Sequence, residues 1–188
     1  TAQGTPFLRT TQHVFSVVEP VLSLSSQVVN SSAKDDTRLN INLMATPLKS
    51  TVEKVIARAE VWGTARDGSK VPVAWISGMV IPQESKQGLT LPMTLDARWI
   101  SLADAQAPFE LRNISIQDVD TFVPMARLAQ AEMLVNTMPK AAQNKVTAIT
   151  DEMLKGPQPE ASGARASKLL LVHGYCSEGF WPTSDFTQ

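Results

Sequence analysis

Apolar and polar residues alternate with a period of two through most of the first 120 residues. In Arg38 to Ala45, Leu39, Ile41, Leu43 and Ala45 share one parity, and Arg38, Asn40, Asn42 and Met44 the other. That pattern predicts a strand with one buried face. Lys54 to Trp62 repeats it, with Val55, Ala57, Ala59 and Val61 inward and Arg58 and Glu60 outward. Arg66-Asp67-Gly68-Ser69 follows; Asp-Gly between two alternating runs signals a hairpin, because the turn needs a positive φ. The return strand is Val71 to Met79, with Val73, Trp75 and Ser77 on one face and Pro72 at the strand start or on an edge, where its missing N–H costs nothing. His13 to Val18 and Leu89 to Leu95 read as further strands. Phe109 to Val119 is strand-like but changes phase: Phe109 and Leu111 share one parity, Ile114 and Ile116 the other. A bulge near Arg112-Asn113 restores a common face. Met125 to Val135 admits two readings, since Leu128, Ala129, Glu132 and Val135 fit a helix and the same residues fit a last strand.

About seven short strands with turns at roughly 8–12-residue spacing predict an immunoglobulin-like antiparallel β-sandwich over residues 1–140. A short helix and linker are expected over 141–167. Thr150 is a candidate N-cap and Met153-Leu154 the helix's apolar contact, and a Pro/Gly/Ser/Ala-rich stretch runs from Gly156 to Ser167. At Lys168 a new element begins. Lys168-Leu169-Leu170-Leu171-Val172 is continuously apolar after its first residue, as suits a parallel strand buried on both faces. So short a piece cannot bury such a strand, so the 188 residues read as the front part of a longer protein. The chain opens at Thr1 without a basic segment followed by an apolar stretch, which implies a removed leader or a trimmed sequence.

Composition narrows the function classes. The chain is 43% hydrophobic and 19% charged, with 17 Lys plus Arg against 18 Asp plus Glu. That is a globular composition, and a net charge of −1 gives no cationic field for nucleic acid. No apolar run approaches the ~20 residues of a membrane span. One cysteine and two histidines, His13 and His173, leave neither an internal disulfide nor a Cys/His metal cluster, and no cofactor is expected.

Several residues were weighed for chemistry. Asp118-Val119-Asp120 and Asp35-Asp36 are Ca²⁺-ligand types, but without EF-hand spacing they read as solvated turns. His13 reads as a strand-face residue. Trp62, Trp75 and Trp99 suit a sugar-binding platform or, as the favoured reading, the core and its edge. Asn30-Ser31-Ser32 and Asn113-Ile114-Ser115 match the N-glycosylation pattern.

The string LLLVHGYCSEGFWPTSDF, from Leu169 to Phe186, resembles the third strand and following loop of a group of bacterial, exported α/β-hydrolases of esterase or lipase type. These carry a β-rich domain ahead of the catalytic one. LTLPMTLDARW and FELRNISIQDVDTFVP resemble that preceding domain. The resemblance implies that 168–188 begins a hydrolase domain in which the Tyr175 backbone N–H donates into an oxyanion hole. Gly174 permits the tight turn there, and His173 orients the loop. No Gly-x-Ser-x-Gly elbow is present, so no nucleophile, acid or base is named and this chain alone is expected to turn nothing over. Cys176 lacks the elbow pattern; it reads as a disulfide partner for a missing portion or as an inert thiol. Phe180, Trp181 and Phe186 line an acyl pocket or pack the loop. The implied function is the front of a serine hydrolase of carboxylic esters, secreted or periplasmic. Its partners would be the missing C-terminal portion and an ester or lipid substrate, with no nucleic acid and no transmembrane segment. The alternative is a non-catalytic β-sandwich module that binds a glycan, a surface or a protein.

Overall fold

A computed structural model describes residues 10–12, 18–26, 29–49, 52–86 and 88–155. The chain divides into two compact units, Thr1–Pro157 and Gln158–Gln188, and all described residues belong to the first. The strands are β1 Leu22–Leu24, β2 Val29–Ala33, β3 Arg38–Pro47, β4 Val55–Thr64, β5 Lys70–Val80, β6 Gln83–Ser85, β7 Gly88–Asp96, β8 Gln106–Asp118 and β9 Pro124–Val135. Two short helices, α1 Arg98–Leu102 and α2 Asp151–Lys155, and a 3₁₀ turn at Lys140–Ala142 complete the set.

Hydrogen bonding joins the strands in the order β5-β4-β8-β9-β2-β3-β7-β6, with β1 on β3. Neighbours are antiparallel except β2 and β9, which run parallel. Ser31, buried in β2, donates its hydroxyl to the Leu134 carbonyl at 3.0 Å and fastens that junction. The inward residues of β4 and β8 and those of β3 and β7 meet in one hydrophobic cluster. Leu39, Ile41, Leu43, Val55, Ala57, Ala59, Val61, Leu91 and Leu95 all lie in it, on the faces that alternation assigns them. Each Leu, Ile or Val so buried contributes roughly 1.5–3 kcal/mol.

The β4–β5 hairpin turns where expected. Gly68 takes φ 85°, and the Asp67 carboxylate accepts the Ser69 N–H at 2.9 Å and its hydroxyl at 2.6 Å. The β8 phase change is resolved by a bulge: Arg58 pairs with Ser115 but Glu60 with Arg112, so two residues of β8 oppose Ala59. Asn113 sits there at φ 50°, and Phe109, Leu111, Ile114 and Ile116 are all buried.

The structure decides one open reading and corrects one expectation. Met125 to Val135 lies wholly within a strand, β9, because β8 on one side and β2 on the other bind its backbone, and that pairing outweighs alanine's helix propensity. On β5, a register shift opposite Val61/Trp62 leaves Val73 as an extra residue. Val73, Ile76 and Val80 therefore face inward, while Trp75 and Ser77 face out. The segment after Val135 is bonded to the sheet domain. Ala141 N–H donates to the Asp36 carbonyl at 2.9 Å, the Ser101 hydroxyl bonds the Asn144 carbonyl, and Met153 is buried. The expected strand at His13 to Val18 and the whole 168–188 element lie outside the described residues, apart from Val18 itself.

Candidate functional site

Directly paired residues of adjacent strands share a face, so the registers build a grid on the outward side of β9, β8, β4 and β5. One row runs Glu132, Glu110, Trp62; the next Gln130, Arg112, Glu60, Trp75; the third Arg127, Ser115, Arg58, Ser77; the fourth Gln117, Ile56, Met79.

The first two rows form a closed polar network. The Arg112 guanidinium lies over the Trp62 ring, 4.2 Å from its centroid, and is ion-paired with Glu110. Glu110 is only 6% exposed; it also accepts from Lys70 Nζ at 3.3 Å and Gln130 Nε2 at 3.0 Å. Glu60 accepts from Asn113 Nδ2 and from Trp62 Nε1, each at 2.9 Å. The Asn113 bond, then the Trp62 bond, hold the Glu60 carboxyl below its ordinary pKa. With Glu60, Glu110, Asn113, Gln130 and one face of Trp62 engaged, this part of the grid is structural.

The β5 margin differs. Trp75 is 67%, Met79 65% and Ile81 62% exposed, all of one parity; the first two lie on β5, an edge strand among the described residues, and Ile81 follows its last residue. Beside them, Arg58 Nε and Gln117 Oε1 are buried with no hydrogen-bond partner among the described residues. Around the β5 edge, a cleft of about 330 Å³ is lined by Val73 to Ser77, Thr94 to Asp96, Trp99 and Met153, among others. Asp96, one of the lining residues, is bonded by Arg98 at 2.6 Å, and Arg98 also bonds Glu152 at 3.0 Å; these carboxylates raise the Arg98 pKa.

The three tryptophans therefore do not assemble. Trp99 packs at the core edge, Trp62 is half-buried under Arg112, and Trp75 projects outward, against the core reading for it. Nor do the acidic candidates gather. Asp35 accepts from Thr37 Oγ1, Thr37 N–H and Arg38 N–H at 2.7–2.8 Å. Asp118 accepts from Thr121 Oγ1 at 2.7 Å, Thr121 N–H at 2.8 Å and Asp120 N–H at 3.1 Å. Both are turn-building carboxylates, and among the described residues no group of three or more His, Cys, Asp or Glu is placed to hold a metal. Asn113 is spent on Glu60, and Asn30 is exposed on β2. His13, His173, Gly174, Tyr175, Cys176, Phe180, Trp181 and Phe186 lie outside the described residues. Simple alternation puts Val73 and Trp75 on one face and so hides the β5 stripe; the signal that reveals it is the uncharged run Val71 to Gln83.

Residues 56–157 match the family model described as the conditioned medium factor third Ig-like domain. The chain belongs to this family. It is 33% identical over 203 residues to "Conditioned medium factor" of Dictyostelium discoideum, covering 97% of this chain and 29% of that protein. A domain of the outer membrane lipoprotein Omp28 from Porphyromonas gingivalis aligns over 67% of this chain and 98% of its own, at 10% identity and a TM-score of 0.30; no argument is built on it.

The family match establishes an Ig-like, mainly β domain with little helix, and it overturns the α/β-hydrolase resemblance. Because the Dictyostelium alignment covers 97% of this chain, the 168–188 stretch lies largely inside it, and the relative it matches is a conditioned medium factor. A buried strand followed by His-Gly is too short a pattern to carry a catalytic fold. The ester-hydrolase, esterase and lipase reading is withdrawn, and with it the basis for an oxyanion-hole role of Tyr175, Gly174 and His173.

Proposed function

We propose that this conditioned medium factor family chain is a non-catalytic Ig-like module that engages a protein partner through the β5 margin of its outward sheet face. The carrying observation is the stripe Trp75, Met79 and Ile81, each more than 60% exposed, on β5 and the residue just past it, with no charge between Lys70 and Glu84. An apolar stripe of this kind on a folded domain marks a contact surface. A protein is favoured over a glycan because, of Trp62, Trp75 and Trp99, Trp75 alone is exposed for stacking. The relative's name ties that protein to a conditioned medium, which supports a secreted location for this chain too.

A photo-crosslinking residue at position 75 tests the reading. Leu134, exposed on β9, is the matched control. A discrete protein adduct from position 75 and none from position 134 is expected. Equal labelling at both positions, or glycan binding that Trp75→Ala abolishes, would overturn it.

A further inference from the structure

Among the described residues, half of the ten exposed large hydrophobics gather at one end of the domain: Leu48, Met79, Ile81, Phe122 and Val123. The registers bring them there. Val55, the first residue of β4, pairs with Val80 at the end of β5 and with Asp118 at the end of β8, so the β8–β9 turn lies at the same end as Met79 and Ile81. The Val21 N–H donates to the Met125 carbonyl at 2.9 Å and the Leu48 N–H to the Val21 carbonyl at 2.8 Å, which adds the end of β3. In the turn, Phe122 stands at φ 58°, an outlier for so bulky a side chain, and is 58% exposed. A cleft of about 510 Å³ lies at this pole. Val52, Met79 and Met125 give it apolar wall, and its charged lining residues are Glu53, Asp118 and Asp120 against Lys54. Lys49 and Glu19, also at this end, are paired with each other.

We infer that this pole seats a basic, apolar-anchored segment of a partner protein. A Lys or Arg side chain enters the cleft, its aliphatic stem along the methionines and its cation among the three carboxylates, and a neighbouring apolar side chain packs on Phe122 and Val123. The inference rests on the reading of the β5 margin as a contact surface, of which Met79 and Ile81 are part, and names the partner's chemistry. A contiguous apolar patch on a folded domain marks a contact surface. The excess of carboxylates around it selects a cationic partner and repels an anionic one, an anionic lipid surface included. Lys and Arg are the side chains that carry an apolar stem and a cation together.

Fluorescence anisotropy of the full chain with a short labelled peptide of alternating Leu and Lys tests this. The peptide binds, and its Leu–Glu counterpart does not. Phe122→Gly removes the ring and suits the left-handed backbone, so it loses binding without losing the fold. Phe122→Gly and Asp120→Lys each raise the dissociation constant on the order of tenfold. Glu132→Lys, the same charge change on exposed β9, leaves it unaltered. Circular dichroism confirms that each variant is folded. Equal affinity for the two peptides, or equal effects of Asp120→Lys and Glu132→Lys, overturns the inference. So does co-sedimentation with phosphatidylcholine–phosphatidylserine vesicles that Phe122→Gly abolishes, which assigns the pole to a lipid surface. A photo-crosslinking residue at position 122 that joins only residues 1–17 of its own chain overturns it as well. A position-75 protein adduct that persists after any of these leaves the β5 margin standing; its loss removes both readings.

Discussion

The β8 bulge is the feature by which this sequence keeps two phases of one strand in one core, and Asn113 carries it. Its φ of 50° lies in the left-handed region, where an L residue pays roughly 1–2 kcal/mol, Asn less than most. Its amide also donates to Glu60 at 2.9 Å, a bond worth about 1 kcal/mol net. Asn113→Val places a β-branched side chain at positive φ and removes the bond, so it destabilises by about 2–3 kcal/mol. Asn113→Gly removes the same bond but relieves the backbone, so it costs less than ~1 kcal/mol. At roughly 3 °C per kcal/mol for a domain of this size, the valine variant melts about 6–9 °C below the parent. Urea denaturation followed by tryptophan fluorescence, with an unchanged m-value, measures both. Equal stability of the two variants would show that the left-handed bulge position does not set their cost.

Arg98→Ala leaves the nearly buried Asp96 without its guanidinium and frees Glu152. A loss of about 2 kcal/mol is expected by denaturation, below the cost of breaking a fully buried pair, with faster amide exchange over α2. Gly63→Ala drives a Cβ to within 2.8 Å of Ala105 Cβ and 3.0 Å of the Phe109 ring; overpacking of this kind costs about 1–3 kcal/mol, and a neutral result would contradict the packing at that corner. Glu60, Asp35, Asp67 and Asp118 all have folded-state pKa values below their ordinary values of 4.5 and 3.8. The unfolded chain therefore binds more protons in that range, so stability is fully present above it and falls as pH drops through and below it. A denaturation series from neutral to acidic pH that shows rising stability would refute the assignment of these bonds.

Much of the fold was legible, for a local reason. β3, β4 and β7 each bury one face, and their alternation writes that face into consecutive residues. The Asp67-Gly68 turn and the Asn113 bulge were legible because each needs a particular backbone angle or repairs a visible phase break. β2 was read only as a glycosylation pattern: Val29-Asn30-Ser31-Ser32-Ala33 has little apolar content, and its place depends on parallel pairing with residues about a hundred positions away. β9 stayed undecided because its alternation also changes phase, Ala126 and then Ala131 and Met133 being the buried positions. The candidate site was hidden by a single inserted residue, Val73, which reverses the faces of Trp75 and Ile76. The hydrolase reading failed because one strand-loop string was asked to carry a whole fold.

Amide hydrogen exchange along β5 tests the central claim most directly. The account predicts that the free edge of Ala74–Val80 exchanges fast in dilute chain and slows as a bound partner covers it, while β4 amides are slow throughout. Protection of the free-edge amides of Ala74–Val80 at the lowest concentration, or their indifference to a bound partner, would contradict it.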